Sequence, residues 1–127
     1  MGMTVVIADD DETIRSLLRH KLSAEGYDLH VCEDVEEARG LLDGGTVVPD
    51  LLVLDVMMPR LEGTQLLRMI RREELDIPSD VPVVMLTSRG REEDVLEGLE
   101  SGADEYITKP FSPNEVLFRI KKYLDDS

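Results

Sequence analysis

Side chains that could do chemistry stand where short apolar runs of the chain end. They are Asp9, Asp10, Asp55, Thr87 and Lys109. If the three carboxylates come together they repel one another, since two unit charges about 4 Å apart cost about 4 kcal/mol at an effective dielectric constant of about 20. A divalent cation relieves that repulsion, and oxygen ligands that leave room for waters and a phosphate suit Mg²⁺. These residues therefore predict a magnesium site if they converge.

A carboxylate beside Mg²⁺ can act as a nucleophile toward phosphorus and form an acyl phosphate. Charge then spreads over the phosphoryl oxygens, and a metal on one side with an ammonium group on the other stabilises it. Lys109 could supply the ammonium, and the Thr87 hydroxyl could donate a hydrogen bond to a further oxygen. Because acidic runs usually cap helices and lie in solvent, this interpretation depends on convergence with Asp55 and Lys109.

Short runs with the character of β-strands alternate with helical patterns along the chain. The runs are Thr4–Ala8, Asp28–Cys32, Leu51–Leu54, Val81–Leu86 and Glu105–Thr108. Five strands alternating with five helices predict an α/β fold with a parallel sheet covered on both faces. Right-handed crossovers favour a doubly wound, flavodoxin-like sheet with the strand order 2-1-3-4-5.

This strand order explains why polar residues that are distant in sequence should meet. Sites in such sheets form beyond the carboxyl ends of the strands, near the switch point between the first and third. Asp9 and Asp10 follow the first strand, and Asp55 follows the third. Helix starts agree with the arrangement, because Asp34 and Ser112 each stand three residues before a glutamate, which is the spacing of a capping box.

Length and charge limit the class of protein. The 127 residues predict one domain spanning residues 1–127. The formal net charge of −14 argues against direct binding to nucleic acid or to an anionic membrane surface. No apolar stretch approaches the roughly 20 residues that cross a bilayer, and no secretory signal is visible at the N-terminus. A cytoplasmic location is therefore expected, and the single cysteine excludes an internal disulfide.

Four segments resemble the receiver domain of two-component response regulators, and together they cover essentially the whole chain. They are VVIADDD, LLVLDVMMPRLEG, VVMLTSRG and GADEYITKPFSP. The resemblance implies a signalling switch, not an enzyme, in which Asp55 accepts phosphate from a sensor histidine kinase. It also implies that Asp10 and Asp55 ligate Mg²⁺ directly, with the main-chain carbonyl of Met57 as a third protein ligand. Asp9 would act largely through a metal-bound water.

The same resemblance implies roles for residues around the phosphate. Lys109 would pair with the phosphate, and its peptide bond to Pro110 is expected to be cis. Thr87 would move to hold the phosphate, and Tyr106 would turn inward to occupy the released space. The change would alter the face formed by helix 4, strand 5 and helix 5, which partners or a second copy of the chain would read.

The region around strand 5 most resembles the receivers of the winged-helix transcription factors, in which this face forms a homodimer through ion pairs. Asp104 with Lys121 matches one of those pairs. Glu105 with Arg119 matches a second. In a third pair, Glu115 would need a basic partner, but the position expected to supply it is Val95 in this chain. This is a departure from the family pattern. The charged residues predicted for this face are Asp104, Glu105, Glu115, Arg119 and Lys121.

Three other functions stay open at this point. A phosphohydrolase of the haloacid dehalogenase type wants a second aspartate two residues after its nucleophile, where this chain has Met57. A receiver-like binding module without phosphate chemistry usually lacks an acidic or lysine position, whereas the full set is present here. A flavin-binding flavodoxin-like protein needs a loop rich in Ser, Thr or Gly after the first strand, where Asp9 and Asp10 would repel phosphate.

Overall fold

The computed structural model describes residues 2–56, 63–88 and 92–124, apart from the side chains of residues 92–94 and 97. Strands and helices alternate along these ranges, as predicted. In chain order they are β1 (Thr4–Ala8), α1 (Glu12–Ser23), β2 (Asp28–Cys32), α2 (Val35–Leu42), β3 (Leu51–Asp55), α3 (Gly63–Arg71), β4 (Val83–Thr87), α4 (Glu92–Glu100), β5 (Glu105–Thr108) and α5 (Pro113–Leu124).

The strands form one parallel sheet in the order β2-β1-β3-β4-β5, which confirms the predicted order. β3 and β4 are buried along their whole length, as central strands of a doubly covered sheet must be. The run that was expected to begin at Val81 becomes a strand two residues later, because the Val81 amide donates to the carbonyl of Pro78 and Pro82 has no N–H. Both strands run one residue further than predicted, so Asp55 and Thr87 are their last residues.

Alternation along the strands divides the core into one cluster on each face of the sheet. The cluster beneath α1 and α5, here called the α1/α5 core, consists of Val5, Ile7, Leu18, Leu22, Leu51, Val53, Val84, Leu86, Ile107, Val116, Ile120 and Leu124. The opposite cluster, the α2/α3 core, joins the intervening strand residues to those two helices. In the part of the chain that the structure describes, no helix combines the length and apolar character needed to cross a membrane.

Two predicted capping boxes shape the helix starts that follow β2 and β5. Asp34 accepts a hydrogen bond from the Glu37 amide at 2.7 Å, and the Glu37 carboxylate accepts one from the Glu33 amide at 2.8 Å. The Ser112 hydroxyl accepts from the Glu115 amide at 3.1 Å. The contacts to the Glu37 and Glu115 amides satisfy donors that the first helical turn cannot pair, and the contact to the Glu33 amide holds the residue before the cap. The chain therefore enters α2 and α5 at defined positions.

Candidate functional site

Three predicted site residues continue the strand alternation onto one face of the sheet. Asp9, Asp55 and Lys109 share the α1/α5 face. Each stands two residues after a buried member of the α1/α5 core, namely Ile7, Val53 and Ile107. The parallel register sets Ala8 beside Leu54, so the two aspartates follow at neighbouring positions. Because side chains alternate between the two faces of a strand, both acids and the lysine lie on one face at the same edge of the sheet.

The structure brings the acids and the ammonium group into contact. Lys109 Nζ lies 3.0 Å from Oδ2 of Asp9 and 3.2 Å from Oδ2 of Asp55. Asp9 is 0% exposed and Asp55 3% exposed, whereas Asp10 faces solvent. One oxygen from each of the three carboxylates lies within 4.8 Å of the other two. The convergence on which the sequence interpretation depended is therefore present.

One buried carboxylate oxygen at this site is incompletely satisfied. Oδ2 of Asp9 is in ionic contact with Lys109 but makes no directed hydrogen bond within the described residues. Burial alone would lower the pKa of Lys109, and the negative charges of Asp9 and Asp55 outweigh burial and raise that pKa. Three carboxylates facing one ammonium leave a surplus of negative charge and a lone pair that a hard cation can satisfy. The donor set fits Mg²⁺.

Main-chain contacts fix the two buried aspartates. Oδ1 of Asp9 accepts from the Asp11 amide at 2.8 Å, and the Asp9 carbonyl accepts from Arg15 Nη1 at 2.8 Å. Gly63, the first residue of α3, lies directly against the carbonyl of Asp55, where a Cβ atom would overlap the oxygen. The start of α3 therefore needs glycine so that the chain can pass close to Asp55.

Thr87 and Tyr106 lie on the opposite face of the sheet from Asp55. Thr87 is fully buried and follows Met85 by two residues, and Met85 belongs to the α2/α3 core. Tyr106 is half-buried and packs against that same cluster. The Lys109 amide donates to the Thr87 carbonyl at 2.6 Å, and the Lys109–Pro110 peptide bond is cis, as expected. The predicted ligand Met57 lies outside the described residues.

A family model described as the response regulator receiver domain matches residues 5–121. The chain belongs to this family. It is the receiver domain of a two-component response regulator, a phosphoacceptor signalling switch. Receiver domains generally bind Mg²⁺ at an acidic pocket, and response regulators interact with histidine kinases.

Two curated relatives illustrate the likeness. The phosphate regulon transcriptional regulatory protein PhoB of Pseudomonas aeruginosa is 40% identical over 124 residues, which are 98% of this chain and 52% of PhoB. The alkaline phosphatase synthesis transcriptional regulatory protein PhoP of Bacillus subtilis is 44% identical over 124 residues, 98% of this chain and 49% of PhoP. This receiver domain therefore spans about half the length of the curated relatives it matches.

Solved receiver domains share the fold along nearly the whole chain. The Francisella response regulator 1452 receiver domain superposes with a TM-score of 0.88 at 35% identity and covers 98% of both chains. The BeF3-activated DrrB receiver domain gives 0.86 at 31% identity, covering 98% of this chain and 99% of that one. These matches confirm the doubly wound architecture predicted from the strand runs.

In this receiver domain, the acidic residue at the start of β5 is held inside its own chain. Glu105 is bound by Arg119 at 2.6 Å, by Lys122 at 3.2 Å and by the Tyr123 hydroxyl at 2.5 Å. Burial would raise the pKa of the Glu105 carboxyl, but hydrogen bonds from Tyr123, Arg119 and Lys122 outweigh it and lower that pKa. Burial and the same carboxylate raise the pKa of Tyr123. Sequence reasoning missed Lys122 and Tyr123.

The other charged residues predicted for the dimer face also have partners within the chain. Asp104 pairs with Arg71 at 3.0 Å, and Lys121 pairs with Glu25 at 2.9 Å. Glu115 lies 3.6 Å from Arg119. Arg71 was not singled out from the sequence, although a basic residue ending an apolar helix stripe is a weak sign of a helix C-terminal contact. Contacts between two copies of the chain stay a prediction.

Proposed function

We propose that Asp55 is the residue that accepts the phosphoryl group and that Asp9, Asp10 and Asp55 hold Mg²⁺ beside it. The observation that supports this assignment best is the position of Lys109, whose Nζ lies 3.0 Å from Asp9 and 3.2 Å from Asp55. A buried carboxylate requires a counter-charge, and here one ammonium group serves two of them. The main-chain carbonyl of Met57 remains the proposed third protein ligand.

The proposed chemistry is nucleophilic attack by a carboxylate oxygen of Asp55 on the phosphorus of a phosphohistidine. The phosphorus–nitrogen bond of the donor breaks and an acyl phosphate on Asp55 remains. Bound Mg²⁺ would supply positive charge that offsets the charge on the phosphoryl oxygens. Lys109 contacts the reacting carboxylate already and needs only a side-chain rotation to pair with those oxygens. Thr87 would first have to move, because its side chain is buried on the other face of the sheet, and would then donate its hydroxyl to a further oxygen.

Phosphorylation is proposed to act on α4 and β5 through Thr87 and Tyr106. Both side chains lie on the face of the sheet away from Asp55, Thr87 fully buried and Tyr106 half-buried. A phosphate that holds Thr87 favours one of two arrangements of this region, and a partner that distinguishes them reads the signal. The names of the relatives support transcriptional control as the output of the whole protein.

A cavity beside Lys109 is the proposed approach for the sensor histidine kinase. The cavity has a volume of about 450 Å³ and is lined by Asp11, Ile14, Leu17, Ser88, Lys109, Pro110 and Phe111. Leu17 of α1 lies at its edge and is 47% exposed. An apolar cavity beside Lys109, whose ammonium group contacts the Asp55 carboxylate, suits a docked helix that presents a phosphohistidine. We place this encounter in the cytoplasm.

A homodimer through α4, β5 and α5 is proposed for the same domain. Leu96 and Leu99 are 49% and 41% exposed on α4 and offer an apolar centre for it. The proposed ion pairs of Asp104 with Lys121 and of Glu105 with Arg119 compete with the contacts that the acids make in their own chain. Surface pairs contribute about 0 to 1 kcal/mol each, so exchanging them gives only a weak preference.

Incubation with a small phosphodonor and Mg²⁺, followed by intact mass measurement, tests the assignment. We expect one phosphoryl adduct in the wild type and none in Asp55→Asn. Steady release of phosphate from phosphomonoesters would instead favour a phosphohydrolase. A folded wild type that acquires no adduct would favour a binding module without phosphate chemistry.

A further inference from the structure

Gly98 of α4 provides the space that the aromatic ring of Tyr106 occupies. A Cβ atom built on Gly98 would overlap both Cε2 and Cδ2 of that ring. Gly98 is buried, and the ring is half-buried against the α2/α3 core. The ring therefore fills the volume that any larger residue at position 98 would need.

Backbone conformation does not account for a glycine at this position. Gly98 lies within α4 and is not among the described glycines with positive φ, which are Gly26, Gly44, Gly45 and Gly102. A glycine inside a helix lowers helix stability relative to alanine. The helix therefore carries a residue that weakens it at a point where the Tyr106 ring packs against its backbone.

Gly40 of α2 offers a matched comparison. It stands two residues before the last residue of its helix, as Gly98 does in α4. A Cβ atom at Gly40 would meet nothing within 4 Å. Substituting alanine at the two positions therefore makes the same change in helix propensity, but only one of the two added methyl groups meets another side chain.

We propose that Gly98 is a positioning residue for Tyr106. Because Gly98 has no side chain, the Tyr106 ring can pack against α4, and this contact links α4 to the phosphorylation site. Tyr106 pairs in register with Met85 on β4, and Thr87 lies two residues further along that face. A contact between Gly98 and the ring thus joins α4 to the strand that ends in Thr87. This inference rests on the proposed role of Tyr106 in the switch.

The first test uses the unphosphorylated chain and a double-mutant cycle. Gly40→Ala should raise Tm by roughly 2 to 5 °C through helix propensity. Gly98→Ala should raise it less or lower it, because the ring must leave its position. In a Tyr106→Ala background the methyl group has room, and Gly98→Ala should then raise Tm as much as Gly40→Ala. Equal gains for both alanines in the presence of Tyr106 would overturn the proposal.

A spectroscopic test separates ring position from general stability. With ¹³C-labelled tyrosine, the ring signals of Tyr106, assigned by their loss in Tyr106→Ala, should shift in Gly98→Ala and stay in place in Gly40→Ala. Adding phosphodonor and Mg²⁺ should move these signals in the wild type and move them less in Gly98→Ala. Unshifted signals in unphosphorylated Gly98→Ala would refute the positioning role. Phosphorylated wild type without any signal change would refute the proposed switch and leave the contact itself intact.

Discussion

Lys109 Nζ lies 3.2 Å from Oδ2 of Asp55, although 54 residues separate the two in sequence. Asp55 ends β3 and Lys109 follows β5, so the lysine side chain crosses the end of β4 to reach it. The length of lysine makes this possible where a shorter cation would fall short. The charge balance of the site therefore depends on one flexible side chain.

Magnesium is expected to stabilise the fold, because three carboxylates converge and the ammonium group of Lys109 contacts only Asp9 and Asp55. At about a hundredfold excess over its Kd, Mg²⁺ should raise the free energy of unfolding by about 2.7 kcal/mol. In Asp55→Asn the response should shrink, and stability without metal should rise because one repelling charge is gone. Urea unfolding with and without Mg²⁺ measures both. Asp28→Asn, at the exposed start of β2, is the control, and equal responses in all three proteins would contradict the metal assignment.

Gly63→Ala is expected to misplace the phosphoacceptor. The added methyl group would overlap the Asp55 carbonyl, so the start of α3 or the end of β3 has to move. Overpacking of this kind costs about 1 to 3 kcal/mol of stability. Adduct formation with the phosphodonor should also slow, because the displaced Asp55 carboxylate no longer has the geometry that the reaction needs. Gly40→Ala is the control, since its methyl group has open space. Wild-type adduct rates in Gly63→Ala would show that this close approach does not position Asp55.

Arg71 is expected to contribute strongly to stability. Its guanidinium donates to the carbonyls of Ser79, Val81 and Gly102 and to the Asp104 carboxylate, at 2.7 to 3.0 Å. Arg71→Ala removes this donor from the three carbonyls, whereas the Asp104 carboxylate keeps its hydrogen bond from the Val83 amide. The change should lower the free energy of unfolding by about 2 to 4 kcal/mol.

The neighbouring arginine supplies the control for this prediction. Arg72 is exposed and its side chain makes no ion pair within the described ranges, so Arg72→Ala should change stability by no more than about 0.5 kcal/mol. Lysine at position 71 should restore little, because a single ammonium cannot reproduce the planar fork. Similar losses for the two alanine variants would count against the role of the hydrogen-bond network.

Glu105 should contribute stability that is lost in acid. Its pKa is lowered in the folded state, because hydrogen bonds from Tyr123, Arg119 and Lys122 outweigh burial. The contribution is therefore present above the ordinary glutamate pKa of about 4.3 and disappears as pH falls through the lower folded value. Unfolding free energies of wild type and Glu105→Gln should converge toward low pH. The exposed Glu115→Gln should track the wild type, and a constant gap for Glu105→Gln would contradict the prediction.

The fold and the acidic cluster could be predicted because both follow from short-range patterns. A period of two carries Asp9, Asp55 and Lys109 to one face, and strand order then sets them side by side. The short extension of β3 through Asp55 was not predicted, since a carboxylate at the end of an apolar run gives no sign of whether the ladder continues through it.

Contacts made by long side chains across loops could not be predicted. Arg71 reaches the loop before β5, 31 residues away, and no periodicity encodes that reach. The hydrogen bond from Tyr123 to Glu105 depends on the angle at which α5 packs against β5, and the sequence pattern does not give that angle. Gly98 looks in sequence like any weak point of a helix, and only the position of the Tyr106 ring gives it a reason.

Locating the phosphoryl group on the chain tests the central claim most directly. Wild type treated with phosphodonor and Mg²⁺ is trapped with borohydride, which reduces an acyl phosphate to an alcohol, and is then digested and sequenced by mass spectrometry. We predict a single modified residue, Asp55, whose modification disappears when Mg²⁺ is chelated before the donor is added. Modification confined to Asp9 or Asp10, or modification that persists without the metal, would contradict the account.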